Sequence, residues 1–261
     1  MFRVVLVLCL VFGGGGGPGL FAEAVAKGEL TNAEFKEASW DWMQNLPDDS
    51  AATTKWDDIG DWDVSGVKDF SYAFSTNRDA TGGSKVSSGN PKAVTFVGTA
   101  ISKWNTASAA SLTFTFNGAT EMNADLNGWK VGKVVSLERT FYNAVKFKGT
   151  GLSLWDTASA TSLDRTFFGA KEMNADLTGW KVGKVVTLQA TFASASKFAG
   201  TGLSSWDVAK VTTLAHTFYL TTSLTTCNKR KIADAWKSSA VFKGTDYDTA
   251  WAADTCPVRF K

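Results

Sequence analysis

From Trp62 onward the apolar positions of this chain recur on a fixed ruler. Trp104, Trp129, Trp155, Trp180 and Trp206 follow one another at intervals of 25, 26, 25 and 26 residues. Eight positions after each stands a leucine (Leu112, Leu137, Leu163, Leu188, Leu214), and twelve after each a phenylalanine (Phe116, Phe141, Phe167, Phe192, Phe218). Thr115, Thr140, Thr166, Thr191 and Thr217 directly precede those phenylalanines. Trp62 begins the same pattern with Phe70 and Phe74, then 42 residues pass before the next Trp. Residues 77–93 (NRDATGGSKVSSGNPKA) supply the excess, and their Gly, Ser, Asn and Pro content predicts an inserted surface loop. Six coils are thereby defined.

A longer period lies over the first. Residues 122–137 and 173–188 match at fourteen of sixteen positions, so coils alternate between a W-K-V-G-K and a W-D-T-A-S flavour. Periods of this length belong to solenoids, propellers or arrays, and a propeller blade takes about 40–45 residues. One turn of a leucine-rich-repeat-like or β-solenoid coil is the better match. A single coil buries too little apolar surface to offset the entropy of ordering it, so stability has to come from stacking.

The predicted fold is therefore a repeat solenoid with short parallel strands and helical caps at both ends. V-V-S-L (134–137) and V-V-T-L (185–188) are its strand candidates. The segment Thr140 to Ala144 and its equivalents predict a helical or 3₁₀ turn, and Met122, Phe147, Met173 and Phe198 supply the return segment's core contacts. Positions nine and ten after each Trp vary (Thr-Phe, Glu-Arg, Asp-Arg, Gln-Ala, Ala-His) and are predicted to face outward.

Both ends depart from the repeat. Residues 1–24 read as a secretory signal: Arg3, an apolar run from Val4 to Phe12, a helix-breaking Gly run with Pro18, and Ala22-Glu23-Ala24 as the cleavage site. Residues 25–55 form an N-terminal helical cap, opened by a capping box at Thr31 and Glu34 and continued by Phe35, Ala38, Trp42 and Leu46 at helical spacing. The repeat occupies 56–220. Residues 221–261 form a C-terminal cap, with an amphipathic helix from Asn228 to Trp236 that turns Ile232 and Trp236 inward. Cys9 lies in the signal, which leaves Cys227 and Cys256; in an oxidising compartment an isolated pair predicts a disulfide.

These residues resemble a known family. I-G-D-W-D-V-S-G-V-K-D-F (59–70), W-D-V-A-K-V-T-T-L (206–214) and the Trp/Phe register look like the BspA-type leucine-rich-repeat surface protein, the 26-residue bacterial surface repeat of the DUF285 family. The resemblance covers about residues 56–220, and the C-N-K-R-K-I-A-D-A-W … F … W … C segment at 227–256 looks like a closing module found in some members. It implies a secreted or cell-surface protein for adhesion or protein binding, and it carries no catalytic residues to transfer.

Composition and charge narrow the functions further. A net charge of +2 gives no electrostatic footprint for nucleic acid, and no stretch after the signal reaches the ~20 apolar residues of a membrane helix. The single histidine, His216, sits at an outward repeat position, and two cysteines make no zinc site. Asp63, Asp156 and Asp207 share the position after the Trp, which Lys130 and Lys181 take in other coils; this predicts charge pairing or capping rather than a catalytic dyad. Asn123/Asp125 and Asn174/Asp176 offer too few oxygens for calcium and predict Asx-type turns. No enzyme activity, cofactor or metal is expected. The expected function is binding of an extracellular protein or surface glycan, with Glu138, Arg139, Asp164, Arg165 and His216 as the candidate face together with the 77–93 loop. A carbohydrate-active β-solenoid enzyme and a self-associating coat protein are the alternatives.

Overall fold

In each coil the backbone amides alternate in direction, and that alternation sets the architecture. In the second coil Leu112, Phe114, Phe116 and Gly118 donate to the carbonyls of Ser136, Glu138, Thr140 and Tyr142 in the next coil, at 2.7–3.2 Å. The residues between them, Thr115, Asn117 and Ala119, donate back to Leu112, Phe114 and Phe116 at 3.1 Å. This second set closes consecutive β-turns of the i to i+3 kind. The third coil repeats the scheme, with Leu137, Arg139, Phe141 and Asn143 reaching Ser162, Asp164, Thr166 and Phe168. The computed structural model describes residues 28–46, 48, 50–82 and 89–256.

Among the described residues there is no β-strand. Parallel pairing is confined to isolated bridges, Asp69–Ser111, Ser111–Ser136, Ser136–Ser162, Ser162–Thr187 and Thr187–Thr213. The expected β-solenoid with short parallel strands is thus corrected, and leucine-rich-repeat-like geometry, which needs the same strand, goes with it. The V-V-S-L segment shows the reason. Val134 bonds back to Val131, Val135 donates to Ala110 of the preceding coil, and Leu137 donates to Ser162 of the following one. Only Ser136 is flanked on both sides before local turns claim every second amide. A ladder cannot lengthen from one residue.

The turn path demands left-handed backbone. Position ten after each Trp, occupied by Tyr72, Phe114, Arg139, Arg165, Ala190 and His216, has φ between 49° and 62°. Position fourteen is left-handed too, with φ between 53° and 74° at Gly118, Asn143, Gly169, Ser194 and Leu220. For non-glycine residues this costs roughly 1–2 kcal/mol each, which the stacked coils must offset.

Stacking supplies that. The phenylalanine column runs unbroken from Phe74 through Phe116, Phe141, Phe167 and Phe192 to Phe218 with ring centroids 5.6–5.9 Å apart. Trp62–Trp104–Trp129 and Trp155–Trp180–Trp206 stack beside it at 5.9–6.2 Å. The indole N–H groups of Trp104, Trp129, Trp180 and Trp206 donate to the carbonyls of Ile59, Ile101, Leu152 and Leu177. That of Trp155 is buried without an acceptor. Met122, Phe147, Met173 and Phe198 are fully buried, as the return segment requires. The Thr115-to-Thr217 column is buried as well, and its hydroxyls donate to carbonyls of the coil before, as Thr166 does to Leu137 and Thr191 to Leu163 at 2.9 Å.

At the N-terminal end α1 (Asn32–Asn45) begins with the Thr31/Glu34 capping box in place. It lays Phe35 edge-on against Trp62, Phe70 and Trp104. After it α2 (Ser50–Trp56) returns Trp56, whose indole donates to Asp41 at 2.8 Å. At the other end stand α3 (Thr226–Trp236), α4 (Ala240–Lys243) and α5 (Asp246–Ala252), with Cys227 and Cys256 joined in a disulfide.

The 77–93 segment is more than a surface loop. Arg78, Asn90 and Ala93 are buried, and residues Pro91–Thr95 form a 3₁₀ turn. Arg78 donates to Ser39 Oγ and the Ala73 carbonyl at 2.8 Å and also to the Lys36 carbonyl, tying α1 to the first coil. Burial pushes its guanidinium down to about 10, against the pull of Asp79 and Asp41, so it stays charged at neutral pH. Residues 83–88 of that segment, and the predicted signal at 1–24, lie outside the described residues.

Candidate functional site

The candidate residues fall on one edge of the stack because the turn path brings position ten of every coil into register. Neighbours there touch. Tyr72 stacks on Phe114 at 4.7 Å, and the Arg139 guanidinium lies 4.9 Å from the Phe114 ring and 5.8 Å from that of Tyr142. Tyr142 in turn stacks on Phe168 at 4.7 Å. His216 meets Tyr219 edge-on at 5.9 Å, far along the column, where Tyr219 and Leu220 are exposed.

Position ten is not uniformly outward. Phe114 and Ala190 are buried, Tyr72, Arg139 and Arg165 half-buried, and His216 is exposed. The left-handed turn lays Tyr72, Phe114 and Arg139 along the stack against one another, which the variability of the position did not reveal.

The two arginines differ in one respect. Arg165 forms an ion pair with Asp164 at 2.7 Å. Glu138 occupies the place of Asp164 one coil earlier, yet among the described residues no carboxylate lies within ion-pair distance of Arg139. The Nε of Arg139 is buried without a hydrogen-bond partner.

Beside Arg139 three coils leave an open cleft of about 210 Å³, lined by Thr76, Asn77, Asn117, Tyr142 and Asn143 around Gly118. Gly118 creates the space: its φ is 74°, and a Cβ there would stand 2.2 Å from Thr76 Oγ1. Asn117 is held by its amide, which donates to Ser75 Oγ at 3.3 Å. Asn117, Tyr142 and Asn143 lie outside the positions that the repeat spacing marks as outward. Positions thirteen and fourteen vary from coil to coil as nine and ten do, and that was the available signal.

The carboxylates considered for catalysis are occupied as turn caps. Asp63, Asp156 and Asp207 accept from the amides of Ser65, Ala158 and Ala209 at 3.0–3.3 Å, and Lys181 pairs with Asp156 at 3.2 Å. The Lys181 hydrogen bond, then the Ala158 amide, hold the Asp156 carboxyl below its ordinary range. Asp125 and Asp176 cap Asn127 and Thr178 in the same way, while Asn123 and Asn174 accept from the backbone of the next coil at Lys148 and Ala199. Among the described residues no group of three or more His, Cys, Asp or Glu is placed to hold a metal ion. No helix among them is long and apolar enough to cross a membrane.

Fold and site together define a repeat protein whose coils are built from turns, with a constant core and a variable edge. The chain belongs to the family described as "Mycoplasma protein of unknown function, DUF285", whose model matches residues 41–94, 91–151 and 146–250. No curated protein and no solved structure matches the chain.

Proposed function

We propose that this chain is a secreted or cell-surface adhesion protein that binds a partner, another protein or a surface glycan, through the edge formed by positions ten, thirteen and fourteen of its coils, without catalysis. One observation carries the reading. The core columns stay buried from coil to coil, while this edge changes from aromatic at Tyr72 and Phe114, through cationic at Arg139 and Arg165, to His216, Tyr219 and Leu220. A constant scaffold with a variable edge is how repeat proteins present extended binding surfaces. The disulfide suits an oxidising compartment, and the likeness to the BspA-type surface repeat points the same way.

The test is binding of the secreted chain to panels of purified extracellular proteins and surface glycans. A variant carrying Arg165→Ala, His216→Ala and Tyr219→Ala is measured beside it. Saturable binding that the triple variant loses, with its melting temperature kept, supports the reading. Turnover of a polysaccharide without saturable retention would replace it with the enzyme. Concentration-dependent self-assembly without a partner would replace it with the coat protein.

A further inference from the structure

We propose that the cleft around Gly118 is a binding site for one carboxylate-bearing sugar ring, with Arg139 taking the carboxylate and the amides beside it taking the hydroxyls; this rests on the binding-protein reading above.

Charge comes first. Arg139 and Arg165 occupy the same left-handed turn position in successive coils, with φ of 50° and 51°. Arg165 is neutralised by Asp164, whereas Arg139 faces the cleft without a counter-ion among the described residues. Its Nε is buried without an acceptor, and among the described residues no carboxylate or carbonyl takes its terminal nitrogens, so these keep their donors for an anion in the cleft. The rings of Phe114 and Tyr142 at 4.9 and 5.8 Å hold the guanidinium in place. A fork held in this way loses little entropy when it meets a carboxylate.

Size and lining then choose among anions. About 210 Å³ is below the roughly 300 Å³ at which drug-sized pockets begin, and suits a single ring. Asn77 and Asn143 bring side-chain amides, Asn117 a third whose nitrogen already donates to Ser75, and Thr76 a hydroxyl that donates to Asn77 and Asn117 and can still accept. A sugar acid carries a carboxylate and several hydroxyls on one compact frame. An aspartate or glutamate side chain carries no hydroxyl, so a peptide would reach the amides only through its backbone and not on one compact frame. An inorganic anion would leave most of the space empty.

The experiment titrates the full chain with oligosaccharides ending in glucuronate or in sialate, and with the same compounds after reduction of the carboxyl to an alcohol. Arg139→Gln removes the charge. Asn143→Gly removes an exposed amide at a position with φ of 53°, where glycine is at ease, so folding is preserved. Lys181→Gln, a cation paired with Asp156 away from the cleft, is the charge control. We expect saturable binding of at least one acid sugar, at least tenfold weaker for its reduced form and for Arg139→Gln. Asn143→Gly should bind several-fold more weakly, and Lys181→Gln within twofold of the native chain. No binding of either acid, equal binding of acid and reduced forms, or native affinity in Arg139→Gln overturns the site. If a partner sensitive to the triple variant is still retained then, only this assignment fails; loss of both sinks the broader reading too.

Discussion

Trp236 donates its indole N–H to the Leu203 carbonyl at 3.2 Å, the same bond at the same length that Trp206 makes to Leu177. Phe218 lies against Trp236 at 6.1 Å and 33°, much as Phe192 lies against Trp206 at 5.9 Å and 39°. Helix α3 therefore gives the last coil the contact that another coil would have given. Trp236→Phe keeps an aromatic ring and removes one of the two donors to the Leu203 carbonyl, which retains the Trp206 amide, so it should cost about 1 kcal/mol. Trp236→Ala opens a cavity at the end of the stack and should cost about 3–5 kcal/mol. Urea denaturation of the three proteins orders them; equal stability of native and Trp236→Phe would refute the role of the bond.

The Cys227–Cys256 bond closes a loop with a sequence separation of 29 around that same helix. In the chain-entropy account a loop of this size contributes about 3–4 kcal/mol. Replacing both cysteines by serine should lower the urea midpoint accordingly. Adding reductant to the native chain should move its midpoint to the same place and leave the double variant unmoved.

The buried threonines act through their hydroxyls rather than their methyl groups. Thr191 donates to Leu163 of the preceding coil at 2.9 Å, and that carbonyl also accepts the Thr166 amide. Thr191→Val preserves shape and leaves the carbonyl one donor, so it should destabilise by about 1 kcal/mol. Thr212 makes an equivalent 2.9 Å bond to Val186 but is exposed, where water replaces it. Thr212→Val should be close to neutral in the same assay.

Stability should also fall in acid, from the N-terminal end. Burial works to raise the Asp69 carboxyl, but the Ser71 hydrogen bonds and then Lys36, 3.0 Å away on α1, outweigh it and hold it below its ordinary range. A carboxyl lowered on folding adds stability above its unfolded value, about 3.9, and loses it as pH falls through the folded value. The urea midpoint should therefore drop below about pH 4. Asp69→Asn should be less stable at neutral pH and show a shallower acid loss; an unchanged slope would exclude Asp69 as a contributor.

Much of this protein was legible in the sequence because its core is periodic. A tryptophan, a leucine and a phenylalanine at fixed offsets can share one interior only if the coils stack in register, so the inward columns followed from spacing alone. The α1 capping box, the inward Ile232 and Trp236 and the Cys227–Cys256 pair were local or compositional signals of the same kind.

The backbone path between those columns was decided by the tertiary structure. V-V-S-L has strand propensity, but propensity does not say where each amide points. The neighbouring coil takes every second one, and turns take those between, so the strand reduces to a bridge at Ser136. The same path forces position ten into left-handed backbone and lays Arg139 over Phe114 and Tyr142. The cleft draws Thr76, Gly118 and Asn143 from three successive coils, up to 67 positions apart in the chain. A repeat pattern fixes what each coil buries. Which side chains meet across coils depends on backbone direction, and the stack of neighbours sets that.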